Sequence, residues 1–267
     1  MIVVDLDDSL LGNDLKISKE NKKALKSAMD KGLLVTIATG RMLSSALPYI
    51  RELNIDIPVI TYQGAYIKDT LTGETLTKTT LPMMYAKQLI EECKKDDLYI
   101  QAYVEDNYYF AHDNEYSQLY HRLSGIKGIE VGDLETYLKE EPIKMLIIDV
   151  PYRISTFRNK FDALYGEHIQ IAISKPNYLE ITHIDATKGR ALEHLALMLG
   201  IEREEVIAIG DSYNDISMLD YAGLGVAMGN APDEVKAHAQ YVTKGNDEDG
   251  VAEVVKMYVL KEEYQGE

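Results

Sequence analysis

Acidic and hydroxyl side chains gather at three places where an apolar run stops. Ile2-Val3-Val4 leads into Asp5-Leu6-Asp7-Asp8-Ser9, the run LLVTIA (33–38) into Thr39-Gly40-Arg41, and VIAIG (206–210) into Asp211-Ser212-Tyr213-Asn214-Asp215. In an extended segment residues two apart point the same way, so Asp5 and Asp7 can project toward one site. In an open parallel sheet ligands lie beyond the carboxyl ends of the strands. Together the three ends offer up to five carboxylates, a hydroxyl and an arginine. A helix N-cap role accounts for any one of these aspartates alone; it does not account for all three ends. Like charges packed together are costly unless a cation neutralises them, and an oxygen-rich site that keeps some waters suits Mg²⁺.

Such a site can transfer phosphoryl groups. That chemistry needs in-line positioning, neutralised equatorial oxygens and a nucleophile. A carboxylate can be the nucleophile, forming an acyl phosphate. A second carboxylate can pass a proton to the leaving oxygen and later take one from water. Lys188, in Asp185-Ala186-Thr187-Lys188-Gly189, opens a helix, where the macrodipole disfavours a cation. Alone it reads as a solvated surface lysine; beside an acidic, phosphate-binding site it has a reason to be there.

The elements that must position these residues alternate strand and helix. Ser18 can cap a helix with Ala24, Leu25, Ala28 and Met29 on one face, closed at Gly32. A second helix turns Leu47, Ile50 and Leu53 inward, with Pro48 expected to bend or start it, and Val59–Tyr62 reads as another strand. Continuous apolar strands separated by helices imply a parallel sheet covered on both faces. The pattern then changes: a polar hairpin from Tyr66 to Thr80, a helix from Met83 to Lys95, a Tyr-rich hairpin (YIQAYV, YYFA), and later strands KMLIIDV, IQIAIS and NYLEIT. This reads as an α+β unit with an antiparallel sheet. Strict α/β alternation returns after Asp185. The expectation is an α/β fold, a Rossmann-like parallel-sheet core made of residues 1–81 and 184–267, interrupted by an inserted α+β domain of residues 82–183.

Composition narrows the function. The 267 residues carry 44 Asp and Glu against 28 Lys and Arg, a net charge of −16, which makes nucleic acid and anionic membranes poor partners. The single cysteine, Cys93, excludes an intramolecular disulfide or cysteine-based zinc site. No run approaches the roughly 18 apolar residues of a membrane span, and the acidic start is unlike a signal peptide, so a cytoplasmic location is expected. There is no GxxxxGK[ST] or GxGxxG. The glycines of Gly223-Leu-Gly225-Val-Ala-Met-Gly229 have the wrong spacing for a phosphate loop and read as a strand with tight turns. His183 and His194 read as surface or packing residues.

In this order, DLDDSLL, ATGR, a Lys-Gly at a helix start and GDSYND resemble the four motifs of the haloacid dehalogenase superfamily of phosphatases. The insertion between the second and third motifs resembles the Cof-type subfamily, IIB, whose insertion is a cap domain. The resemblance covers essentially the whole chain. It implies Asp5 as nucleophile, Asp7 as general acid and base, Thr39 as a hydrogen-bond partner of the transferring phosphoryl group, and Lys188 as its neutralising charge. It implies Mg²⁺ held by Asp5, the backbone carbonyl of Asp7, and Asp211, with Asp215 supporting the metal waters or Lys188. Ser9, Gly40, Arg41 and Asn214 would lie at the phosphate or substrate, with Ser9 and Asp8 offering backbone N–H groups. Two positions depart from the family pattern: Asp8 stands where glycine is common, and Gln63 begins a Gln63-Gly64-Ala65 segment that is usually Asn-Gly-Ala. The implied partner is a small phosphorylated metabolite, such as a sugar phosphate, FMN or pyridoxal phosphate, hydrolysed through an aspartyl-phosphate. A phosphosugar mutase or a non-catalytic metabolite-binding protein are the alternatives. Substrate discrimination would fall to the inserted domain, with Tyr103, Glu105 and Tyr108 as candidates.

Overall fold

Ile2–Val4 forms β1, a short strand buried on both faces. In the computed structural model, which describes residues 1–261, it lies inside a parallel sheet. The other strands are β2 (Val35–Ile37), β3 (Val59–Thr61), β4 (Tyr66–Lys68), β5 (Thr75–Lys78), β6 (Tyr99–Val104), β7 (Asn107–Phe110), β8 (Ile129–Glu130), β9 (Lys144–Ile148), β10 (Ile169–Lys175), β11 (Tyr178–His183), β12 (Ile207–Gly210), β13 (Leu224–Ala227) and β14 (Tyr241–Val242). The helices are α1 (Lys19–Asp30), α2 (Leu43–Leu53), α3 (Met83–Lys95), α4 (Glu115–Ser124), α5 (Leu134–Tyr137), α6 (Pro151–Tyr165), α7 (Lys188–Leu199), α8 (Ile216–Tyr221), α9 (Asp233–Lys236) and α10 (Gly250–Val254). The chain forms two compact units, Lys78–Ala186 and Met1–Thr77 with the chain from Thr187 onward; the sequence places these joints at Pro82 and His183.

The first unit is built on the parallel order β14-β13-β12-β1-β2. Ala38, just past β2, bridges in parallel to Ile60 of β3, and β3 continues into the hairpin β4-β5. The alternation of β1 divides its side chains between two cores. Ile2 and Val4 face α1, α2 and α10 through Leu25, Ile50 and Val251; Val3 faces α7 and α8 through Leu192, Leu195 and Leu219. The Ser18 hydroxyl accepts the Asn21 N–H and caps α1 as expected. Pro48 sits inside α2 and does not start it. The hairpin expected to be polar is so only in β5, because β4 is fully buried.

The second unit is a six-stranded sheet, β10-β11-β9-β6-β7-β8, antiparallel except for the β7–β8 pair. Helices α3 and α6 cover one face through Leu89, Ile90, Ile154 and Phe161, packed on Ala102, Met145, Ile147 and Ile181. Cys93 is buried in that core.

The turn after β3 constrains how the first unit closes. Gly64 has φ +103°, and a Cβ there would lie 2.2 Å from the Thr187 carbonyl oxygen. Thr187 in turn caps α7, its hydroxyl accepting the Arg190 N–H. Gly64→Ala should destabilise the protein by more than about 2 kcal/mol, combining strained φ with overpacking against backbone. A urea unfolding midpoint within error of wild type would contradict this close approach.

Candidate active site

Strand register sets the carboxylates side by side. Val4 of β1 pairs with Ile209 of β12 on one side and Ile37 of β2 on the other. The next residue, Asp5, donates its N–H to Ile209 O at 2.9 Å, and Ala38 N donates to Val4 O at 3.0 Å. Asp5, Asp211 and Thr39 therefore leave the sheet at the same edge, on neighbouring strands about 4.8 Å apart. All three are buried.

Lys188 reaches this edge from the first turn of α7. Its ammonium is fully buried; it donates to a carboxylate oxygen of Asp5, and to Asp215 Oδ1 at 2.5 Å. The other oxygen of Asp215 accepts the N–H groups of Asp211 and Ser212, both at 3.0 Å. Asp215 is thus fully engaged in holding Lys188 and the loop after β12. Gly210 permits this loop, since a Cβ there would lie 2.6 Å from the Asp215 carboxyl carbon. The Ser9 hydroxyl donates to Asp211 Oδ1 at 2.8 Å.

Carboxylate oxygens of Asp5, Asp211 and Asp215 lie within 4.8 Å of one another, enough to hold a metal ion. Three carboxylates against one ammonium leave two negative charges uncompensated when all are ionised. The acidities reflect that deficit. Burial, and then the charge of Asp215, push the Asp211 carboxyl up to about 7, against the Ser9 hydrogen bond. Burial raises the Asp5 carboxyl well above the usual range; Lys188 opposes the rise, and Asp215 and Asp211 add to it. Burial pulls the Lys188 ammonium down, but Asp215 and Asp5 outweigh it and hold the group above its ordinary value. An all-oxygen donor set short of positive charge fits a hard divalent cation.

Asp7 is placed differently. Its carboxylate takes two hydrogen bonds from Arg41, Nε to Oδ2 at 2.8 Å and Nη2 to Oδ1 at 2.5 Å. Those bonds to Asp7 raise the Arg41 guanidinium, which also lies over the Tyr49 ring at 5.2 Å. Arg41, expected at the substrate, is here the partner of Asp7. Thr39 Oγ1 accepts the Arg41 N–H at 3.1 Å, which leaves the threonine's own proton to donate.

The two departures from the family pattern fall at left-handed positions. Asp8 has φ 56° and Gln63 φ 61°. Glycine adopts this region freely, and Asn and Asp adopt it more readily than most residues. The Asp8 side chain is exposed, although its charge is still felt at Asp211. The Gln63 side chain accepts from Asn214 Nδ2 at 2.7 Å, a contact between residues 151 apart that no local pattern announces. Gly40 lies against Gln63, whose amide nitrogen would be 2.4 Å from a Cβ at residue 40.

The candidates for substrate discrimination belong to the second unit. Tyr103 and Tyr108 are buried in the second unit, tilted against each other and edge-on to Tyr120. Gln101 donates to the Tyr103 hydroxyl at 2.5 Å, and Lys144 lies 4.9 Å from the Tyr103 ring centre. They are packing residues on the sheet face opposite α3 and α6, where Tyr103 of β6 and Tyr108 of β7 meet Tyr120 of α4. Glu105 is exposed in the β6–β7 turn. His183 contacts Asp185, and His194 is exposed on α7.

The family of haloacid dehalogenase-like hydrolases matches residues 2–255. The chain belongs to that family. It is 34% identical over 275 residues to a 5-amino-6-(5-phospho-D-ribitylamino)uracil phosphatase of Bacillus subtilis, covering 94% of this chain and 95% of the relative. A haloacid dehalogenase-like hydrolase from Bacteroides thetaiotaomicron superposes with a TM-score of 0.85 at 32% identity, covering 96% of this chain and 98% of the other. A subclass IIB sugar phosphatase of the superfamily superposes with a TM-score of 0.82 at 28% identity, covering 96% and 98%. The protein is a phosphatase of this family. Among the described residues no helix is long and apolar enough to cross a membrane.

Two outcomes follow from the geometry. Lys188→Met leaves buried carboxylates without their ammonium and should cost about 3–5 kcal/mol; a loss under about 1 kcal/mol in denaturant unfolding would show that the pairing is not structural. At position 8, Asp8→Gly should unfold at the same or higher urea concentration than wild type. Asp8→Val should lose about 1–2 kcal/mol, because a β-branched residue fits the left-handed region poorly. Equal stability of the two variants would refute the strained turn.

Proposed function

We propose that the protein is a Mg²⁺-dependent phosphatase of small phosphorylated metabolites, working through an aspartyl-phosphate on Asp5. The observation that carries this reading is the buried group of Asp5, Asp211 and Asp215 around Lys188. Asp5, the Asp7 carbonyl and Asp211 would hold the Mg²⁺, which when bound supplies positive charge to the phosphoryl oxygens. Asp5 attacks phosphorus while Lys188 and the Thr39 hydroxyl offset charge on the transferring group. The leaving oxygen takes a proton from Asp7. Asp7 then removes a proton from water as the water oxygen attacks the phosphorus of the acyl phosphate. The P–O bond to Asp5 breaks, releasing inorganic phosphate and regenerating the carboxylate. In this arrangement Arg41 occupies both oxygens of the Asp7 carboxylate, so neither is open to a leaving group. Asp7 therefore donates its proton only after Arg41 has turned to another anion, and the substrate phosphate is the natural one.

The names of the relatives support a phosphorylated sugar or ribityl compound as substrate. The test is phosphate release from a panel containing sugar phosphates, 5-amino-6-(5-phospho-D-ribitylamino)uracil, FMN, pyridoxal phosphate and p-nitrophenyl phosphate. EDTA should abolish turnover and Mg²⁺ restore it; full activity in excess chelator would remove the metal from the scheme. Asp5→Asn should leave only background and trap no phosphoenzyme. Asp7→Asn should lower kcat by about 10²–10⁴-fold, with the smaller loss on the aryl ester, whose leaving group needs little protonation. Phosphate recovered on any residue other than Asp5 would overturn the mechanism.

A further inference from the structure

The loop that carries Asp5 and Asp7 closes on itself only in part. Leu10 N donates to Asp5 O at 3.2 Å and Leu11 N to Leu6 O at 2.8 Å. The carbonyls of Asp8 and Leu11 are taken instead by two asparagine amides from distant segments. Asn230 Nδ2 donates to Asp8 O at 2.8 Å, and Asn246 Nδ2 donates to Leu11 O at 3.0 Å. The two residues are also joined, because the backbone N–H of Asn246 donates to the side-chain Oδ1 of Asn230 at 3.0 Å. Each end of Asn230 meets a backbone group of fixed polarity, so its orientation is determined. Asn230 directly follows Gly229, the last glycine of the segment 223–229, and Gly229 N donates to Lys244 O at 3.0 Å, which aligns the two asparagine-bearing turns.

We propose that Asn230 and Asn246 form an amide relay that fixes the nucleophile loop, and that both are positioning residues for phosphoryl transfer. The inference rests on the reading of Asp5 as nucleophile. Asp8 holds a left-handed conformation, φ 56° and ψ 10°, and such a conformation in a residue other than glycine persists only where its surroundings over-determine it. Asn230 grips the carbonyl of that very residue. On that reading the same few residues carry the Asp5 carboxylate, the Asp7 carboxylate and carbonyl, and the Asp8 and Ser9 N–H groups, which must together fit one phosphoryl group, its leaving oxygen and one metal ion. A misplacement of about 1 Å in such a constellation can cost 10²-fold in rate.

Asn230 stands at the solvent edge and Asn246 is buried. Asn230→Ala therefore opens no cavity and is the cleaner variant; Asn246→Ala and the double variant complete a cycle. With p-nitrophenyl phosphate and saturating Mg²⁺, each single variant should lower kcat by about five- to fiftyfold, with KM changed less than about threefold and an unaltered circular dichroism spectrum for Asn230→Ala. The double variant should be little worse than the poorer single one, because breaking either link releases the loop. A kcat for Asn230→Ala within about twofold of wild type, or losses that multiply in the double variant, would overturn the relay. Asn230→Ala alone decides the matter if Asn246→Ala does not fold. Asp5→Asn assayed alongside separates the two ideas: turnover surviving in it rejects the nucleophile assignment, whereas its inactivity together with an unaffected Asn230→Ala rejects only the relay.

Discussion

A fully buried ammonium flanked by two carboxylates is the interaction on which the rest of the first unit depends. Lys188 cannot sit beneath the sheet edge without Asp5 and Asp215, and neither carboxylate is tolerable there without Lys188. The requirement reaches outward through the chain. Asp215 is aimed by the Asp211 and Ser212 N–H groups, and Gly210 keeps the approach clear. Thr187 starts α7 at the point that delivers Lys188, and Gly64 lets the turn after β3 lie against that start. Removing water from these charges is costly, and the compensation comes from geometry that three separate loops must supply together.

The parallel sheet provides that geometry through register. Because Val4 is level with Ile209 and Ile37, the residues that follow emerge on one edge with no further device. The alternation of β1 also gives each helical layer its own core, with Ile2 and Val4 on one side and Val3 on the other. A strand of three residues can be central because both faces are covered. Its stability comes from packing and from its two neighbours, not from its length.

Charge is left unbalanced at this edge. The first unit matches two of its buried carboxylates with Lys188, whereas the Asp211 carboxylate accepts from the Ser9 hydroxyl, its acidity weakened to about 7 by burial and by Asp215. A cation-binding, phosphate-binding edge has this character, since full internal neutralisation would leave nothing for a ligand to complete. The pairing of Asp7 with Arg41 is the counterpart on the rim: a carboxylate and a guanidinium that satisfy each other.

Much of this was legible in the residues themselves. Apolar runs stopping at Asp5, Thr39 and Asp211 indicated strands ending at a common edge, and Ser18 announced the start of α1. These features are local: a strand end and a cap depend on neighbours a few residues away. The contacts that complete the site are not local. That Arg41 would clasp Asp7, that Gln63 would accept from Asn214, that Tyr103 and Tyr108 would vanish into a ring cluster, and that Asn230 and Asn246 would hold the carbonyls of Asp8 and Leu11 follow from register, turn direction and packing. Residue types and their order determined which chemistry the chain can carry. The tertiary structure alone decided which polar group meets which, because a hydrogen bond depends on separations of a few tenths of an ångström between segments that, for Asn246 and Leu11, are 235 positions apart in the chain.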